Sequence, residues 1–248
     1  MRKAFAAVWL AIFATTTCGQ TVDTNRPGFS FTPGTVPAGR WQLETGIAHD
    51  RPNSRDEATT LPLAELRYGL AAGREVFLSG LSWTRSDSDG ASADGLADVL
   101  LGAKIALPTR ASAGSTSADT AWKASLLLTL SVPVGSSEFS SDSWDPGAGL
   151  VWTRNGVLPL AGTARVSYVD DQWRFDNGLK LPLSLGGPHS VFLEWEANIP
   201  ENGDDSHWLN GGYQYLLGER LQLDFNAGAG LNDAAGDWRL GIGFSRLF

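Results

Sequence analysis

The chain of 248 residues is short of the materials that several common protein classes require. Its one cysteine, Cys18, has no second thiol to pair with, so a disulfide framework is excluded. Three histidines, His49, His189 and His207, are spread along the chain, and a metal centre or a Ser–His triad needs such groups to converge. There is no Gly-x-Ser-x-Gly, no phosphate-binding loop and no metal-binding helix motif. Basic residues number 19 against 27 acidic ones, a net charge of -8, which argues against nucleic acid as a partner. Beyond the first twenty or so residues, no apolar run approaches the roughly 20 residues of a membrane-spanning helix. No catalytic residue, metal ligand or cofactor is therefore expected.

What the chain does contain is glycine (29 residues), tryptophan (10 residues) and a recognisable start. In MRKAFAAVWLAIFATTTCGQ, Arg2 and Lys3 precede an apolar stretch from Ala4 to Ala14 and then small residues. This is the pattern of a secretory signal peptide, placed here at 1–19, with cleavage near Gly19 or Gln20. The Thr15-Thr16-Thr17-Cys18 context lacks the leucine and small residue that a lipid-anchored cysteine wants.

Period-two alternation dominates the remainder. From Trp122, alternate residues Ala124, Leu126, Leu128, Leu130 and Val132 share one face, against Lys123, Ser125, Leu127, Thr129 and Ser131 on the other. The pattern predicts twelve strands, at 40–49, 60–70, 74–84, 96–107, 121–132, 147–153, 157–169, 172–183, 190–199, 208–217, 220–231 and 237–248. Most match the 9–11 residues of a tilted strand crossing a bilayer.

Alternation alone fits a soluble barrel with its apolar face inward, or a transmembrane barrel with that face on lipid. The connections favour the second. Alternate links such as DRPNSRDEAT, RSDSDGASADG, VGSSEFSSDSWDPG and PENGDDSH are acidic, and that set carries 16 of the 27 acidic residues. The other set, including AAGR, RNG, LGGPH and LGER, is mostly short; the link at 108–120 is the exception. Short turns at one end and longer loops at the other are the outer-membrane asymmetry. Aromatic residues cluster at both strand ends: Trp41, Tyr68, Trp122, Trp152 and Phe248 at one, Trp83, Tyr168, Trp173, Trp208 and Trp238 at the other. Such rings suit the two interfaces of a bilayer. The chain also ends inside an alternating strand, WRLGIGFSRLF, which a closing seam explains.

The stretches NRPGFSFTPGTVPAGRWQLETG (25–46), LRYGL (66–70), GLADVLLGAKIAL and the final strand resemble the outer-membrane proteins named for the meta-pathway of phenol degradation. The resemblance implies an all-β, closed antiparallel transmembrane β-barrel with a role in passing small, aromatic or hydrophobic molecules. It names no substrate and carries over no binding residue.

The expected organisation is a barrel over 20–248, with short periplasmic turns and acidic extracellular loops, in the outer membrane of a Gram-negative bacterium. Residues 20–39, with three prolines and three glycines, form no regular strand; they are either a periplasmic lead-in or a segment tucked inside. By parity the lumen is lined by Asp98, Lys104, Lys123, Arg165, Arg174, Asp176, Lys180, Glu194, Glu196 and Arg239, along with Glu44, Glu65, Arg67 and Asp224. These residues either line a water-filled pore or pair across a narrow interior and fill it. The expected partners are outer-membrane lipid and lipopolysaccharide, a small solute, and the outer-membrane assembly machinery reading Phe248 as its signal. The rival functions are a non-conducting structural or recognition barrel and a membrane-embedded hydrolase.

Overall fold

A computed structural model describes residues 21–108 and 122–248. The expected signal peptide and the 108–120 link from residue 109 onward lie outside the described residues. The strands are β1 (Trp41–Arg51), β2 (Asp56–Leu61), β3 (Glu65–Ala71), β4 (Arg74–Ser79), β5 (Trp83–Ser88), β6 (Ala91–Leu96), β7 (Val99–Ala106) and β8 (Trp122–Val132). They continue as β9 (Asp145–Arg154), β10 (Leu160–Val169), β11 (Gln172–Gly186), β12 (His189–Pro200), β13 (Ser206–Leu217), β14 (Leu221–Gly230) and β15 (Trp238–Leu247).

Twelve of these strands close a ring in the order β1, β3, β4, β7, then β8 through β15, and back to β1. At the seam β15 pairs antiparallel with β1 from Gln42↔Leu247 to Arg51↔Trp238. Phe248 adds one further bond, its N–H donating to the Trp41 carbonyl at 2.8 Å. Closure leaves the ring no free edge, which hydrocarbon demands of a β structure.

The pattern of burial is inverted relative to a soluble protein. On β8, Leu126 and Leu128 face outward, 36% and 41% exposed, while Ser125 and Leu127 are fully buried. The same holds around the ring: Leu193, Phe225 and Ile242 are exposed, while Glu194, Asp224 and Ser245 are buried. An exposed belt of large apolar residues around a buried polar interior is the signature of a transmembrane barrel. Ring pairs mark its two rims. Trp41 lies on Tyr68 at 4.5 Å and Trp122 near Trp152 at 5.3 Å at the short-turn end. Tyr168 meets Trp173 edge-on at 5.2 Å at the acidic-loop end. Trp208, expected in that outer girdle, turns inward instead, with the Arg239 guanidinium 4.4 Å from its ring centre.

Three expected strands, 60–70, 74–84 and 96–107, are each broken in two, at 62–64, 80–82 and 97–98. Beyond the breaks, β2, β5 and β6 form a small hydrogen-bonded extension on top of β1. Acidic residues expected in loops therefore lie on strands: Asp56 and Glu57 on β2, Asp87 on β5, Asp94 on β6. Apart from Gly95 and Leu96, which meet Ser136 of the 133–144 loop, this extension is exposed or half-buried and packs on no apolar layer, so its sequence has little reason to alternate. It turns at Asp89-Gly90, with φ of 45° and 84°, the left-handed pair that a tight hairpin requires. Hydrogen bonds from Ser92 and Arg85 keep Asp87 below the ordinary carboxylate range, and those from Ser88 and Asn53 do the same for Asp56. The 147–153 segment proves longer than expected, because Gly147 and Gly149 obscure a strand that runs from Asp145.

Candidate functional site

The interior is organised around the N-terminal segment. Pro27, Pro33 and Pro37 interrupt any ladder along it, and only its ends pair with backbone, at Val22 and at Ala38–Arg40, so the backbone groups between need other partners inside the barrel. The lumen side chains supply them. Glu194 accepts the N–H groups of Phe29 and Ser30, each at 2.8 Å. Glu44 accepts those of Asn25 and Arg26, Thr163 that of Phe31, and Glu75 that of Val36. In the other direction Lys180 donates to the carbonyls of Pro27 and Ser30, and Lys104 to those of Thr32 and Gly34. Ser125 donates to the Pro33 carbonyl, and Gln214 and Gln222 to that of Arg26. Of the two alternatives for residues 20–39, the described part lies tucked inside.

Beneath these bonds sits a buried charge cluster. Arg67, fully buried, lies 2.7 Å from Glu44 and 2.9 Å from Glu75, with Glu65 at 4.0 Å. Lys104 pairs with Glu75 at 3.0 Å, and Arg26 with Asp224 at 3.1 Å. Lys180 lies 3.5 Å from Glu194. Two small apolar clusters complete the filling: Val22 and Val36 with Leu247, and Phe31 with Phe77, Leu127 and Val151. At the seam, Gly46 and Gly243 are directly paired, and a methyl group on either would strike the Arg26 guanidinium. The absence of a side chain there makes the notch in which Arg26 rests.

The half toward the acidic loops is emptier. Asp176 takes both Arg165, at 2.7 Å, and Arg174, at 3.2 Å. Arg239 pairs with Glu196 and bonds to Asn210. Asp98 is not on a strand. It sits in the break between β6 and β7 and accepts the N–H groups of Gly135 and Ser141, both at 2.9 Å, so it anchors the 133–144 loop. A cavity of about 290 Å³ lies between Arg26, Phe29, Asp50, Glu196 and Arg239. A second, of the same volume, lies between Phe29, Phe31 and Leu63 and reaches the wall at the 80–82 break. A third, of about 380 Å³, lies under the 133–144 loop beside Arg165 and Arg174.

The residues expected to line the lumen thus separate into groups. Lys104, Lys180 and Glu194 are consumed in holding the N-terminal segment. Arg165, Arg174, Asp176, Glu196 and Arg239 face the outer cavities or the pairs beside them. Lys123 has the inward parity but stands exposed at the end of β8, outside the buried cluster. Glu75, Gln42 and Asn210 were missed. Their signal was available: Glu75 shares parity with Phe77 and Ser79 on β4, and Gln42 with Glu44 on β1. The histidines stay apart, His49 bonded to Thr59, His189 to Tyr213 and His207 stacked on Trp195.

Among solved structures, the barrel is similar to the COG4313 outer membrane channel from Pseudomonas putida F1, at 14% identity and a TM-score of 0.65, covering 86% of this chain and 97% of that one. It is also similar to the KdgM porin, at 10% identity and a TM-score of 0.55, over 83% of this chain and 99% of that one. The beta domain of the Bordetella autotransporter BrkA has the same fold, at 15% identity and a TM-score of 0.51, over 85% and 99% of the two chains. These likenesses establish the barrel fold. No curated protein matches the sequence. The family model described as "Putative MetA-pathway of phenol degradation" matches residues 24–248, and the chain belongs to that family.

Proposed function

We propose that the chain is a passive channel for small solutes in the outer membrane of a Gram-negative bacterium, and not an enzyme. One observation carries this reading. The lumen holds cavities, two of them lined by Arg26, Gly28 and Phe29 of a segment that is held from Asn25 to Val36 by lumen side chains rather than by a β ladder. Such a segment can shift without breaking the wall. The cavity between Phe29, Phe31 and Leu63 supports aromatic or hydrophobic solutes, as does the family's description. Lipid and lipopolysaccharide would surround the apolar belt.

The test is conductance of the purified barrel in planar bilayers. Glu194→Gln weakens the two bonds that hold Phe29 and Ser30, because a neutral amide oxygen accepts less strongly than a carboxylate. It is expected to raise open probability several-fold over the wild type. Identical traces would show that the segment does not set the path. No discrete conductance in either protein would favour the rival, a non-conducting barrel, for which the saturated charge pairs around Arg67 argue.

Phe248 is proposed as the signal read by the outer-membrane assembly machinery. It ends the seam strand, and its N–H makes the last bond of closure to Trp41. Deleting it should lower the amount of protein in the outer-membrane fraction far more than the amount synthesised. Equal fractionation of the shortened and full chains would remove this role.

A further inference from the structure

We propose that the cavity beneath the 133–144 loop is a binding site for a small carboxylate bearing an apolar body, centred on Arg165, Arg174 and Ser167. The proposal gives the channel reading its solute class and rests on that reading for its purpose, but its binding is measurable without it.

Two arginines meet at this cavity. Arg165 and Arg174 share a single carboxylate, Asp176: Arg165 through Nε and Nη2 at 3.0 and 2.7 Å, and Arg174 through Nε. Asp98 and Asp145 also line the cavity, but their hydrogen bonds go to the 133–144 loop, so Asp176 is the one carboxylate that takes either guanidinium. The terminal nitrogens of Arg174 carry no hydrogen bond among the described residues. Next to them, the hydroxyl of Ser167 is buried, the residue being 6% exposed, and has no hydrogen-bond partner. Ser167 and both arginines line the same cavity of about 380 Å³. Among the described residues Asp176 Oδ1 also lacks a hydrogen bond, though it lies 3.2 Å from Arg174 Nε. Buried polar groups in native proteins are nearly always partnered, so the orphaned Ser167 hydroxyl, beside an arginine whose terminal nitrogens have no protein partner, points to a bound acceptor.

The acidic residues of this cavity do not compete for the same role. Asp98 is occupied by the N–H groups of Gly135 and Ser141. Asp145 is occupied by the hydroxyls of Ser141 and Ser143. Their lone pairs are turned into the loop, which leaves a cation no ready ligand here. A planar carboxylate matches the arginine fork, and its second oxygen can accept from Ser167. Leu100, Phe139 and Val169 provide the apolar wall for the rest of the molecule. Inorganic phosphate, a compact anion often doubly charged, would set polar oxygens against that wall and against the two aspartates.

Isothermal titration of the purified barrel in detergent tests this with benzoate, hexanoate, acetate, phenol and inorganic phosphate as probes. Benzoate and hexanoate should bind saturably. Acetate, which lacks the apolar body, and phenol, which lacks the carboxylate, should bind at least about tenfold more weakly. Arg174→Gln should weaken benzoate about tenfold, and Ser167→Ala several-fold. Both variants should fold, because Arg165 still neutralises Asp176 and Ser167 gives up no bond. The proposal is overturned if folded wild type shows no saturable benzoate binding, if Arg174→Gln binds benzoate as well as wild type does, or if phosphate binds more tightly than benzoate. Benzoate bound as expected, but with no flux into liposomes, would leave the site standing and refute the channel reading.

Discussion

Arg67→Met is expected to destabilise the folded barrel by about 3–5 kcal/mol, the scale for breaking a buried ion pair by removing one partner. Arg67 is fully buried between Glu44 and Glu75, themselves fully buried. Its guanidinium also donates to the Asp23 carbonyl at 2.7 Å, so it joins the N-terminal segment to β1 and β4 in one group. Methionine fills a similar volume but takes the guanidinium away from Glu44 and, among the described residues, leaves Glu75 paired with Lys104 alone. Arg67→Lys keeps the charge and loses the fork that spans both glutamates, so it should fall between the two. Denaturant titration of the refolded protein in lipid vesicles measures the difference. A cost below about 1 kcal/mol for Arg67→Met would show that water, rather than Arg67, satisfies these carboxylates.

The cluster around Arg67 also shows where the sequence could be read and where it could not. Lipid requires apolar residues on one face and the N-terminal segment requires polar ones on the other, so the strands between them alternate plainly. That made the ring of twelve and the inward parity of Arg67, Lys104, Glu194 and Asp176 legible. β2, β5 and β6 face neither lipid nor the N-terminal segment and have no such constraint, so most of their residues read as loop. The segment from Asn25 to Pro37 has no period at all. Its place is decided by bonds from individual side chains on nearly every strand, and nothing local in NRPGFSFTPGTVPAG announces Glu194 or Glu44 as its acceptors. Asp98 and Lys123 mark the limits of parity. It gives a direction from the strand axis, but not whether the strand continues, as it fails to do at 97–98, or whether the residue lies beyond the lumen.

Nor does parity say how much room there is, and this bears on the second large effect. Leu126→Arg is expected to cost about 2–4 kcal/mol in bilayers, the scale for a charge at the midplane of a barrel's lipid face. Leu126 lies midway along β8 and faces outward, opposite Leu150 of β9 and Ile105 of β7, both also exposed. Its neighbour Ser125 points inward, and a lumen open to water would accept arginine there with little harm. The lumen at this height is filled. Ser125 is fully buried and its hydroxyl donates to the Pro33 carbonyl at 2.5 Å. An arginine must displace the Pro33 turn, so Ser125→Arg is also expected to be costly, but by a different route. Its cost comes from the N-terminal segment and should be similar in detergent and in lipid, and it should be accompanied by higher conductance. The cost of Leu126→Arg comes from hydrocarbon, so it should shrink when bilayer is exchanged for micelles that admit water to the belt, and conductance should not change. Paired denaturant titrations in vesicles and micelles separate the two. A Leu126→Arg protein as stable as wild type in vesicles would take Leu126 off the lipid face and with it the register of β8.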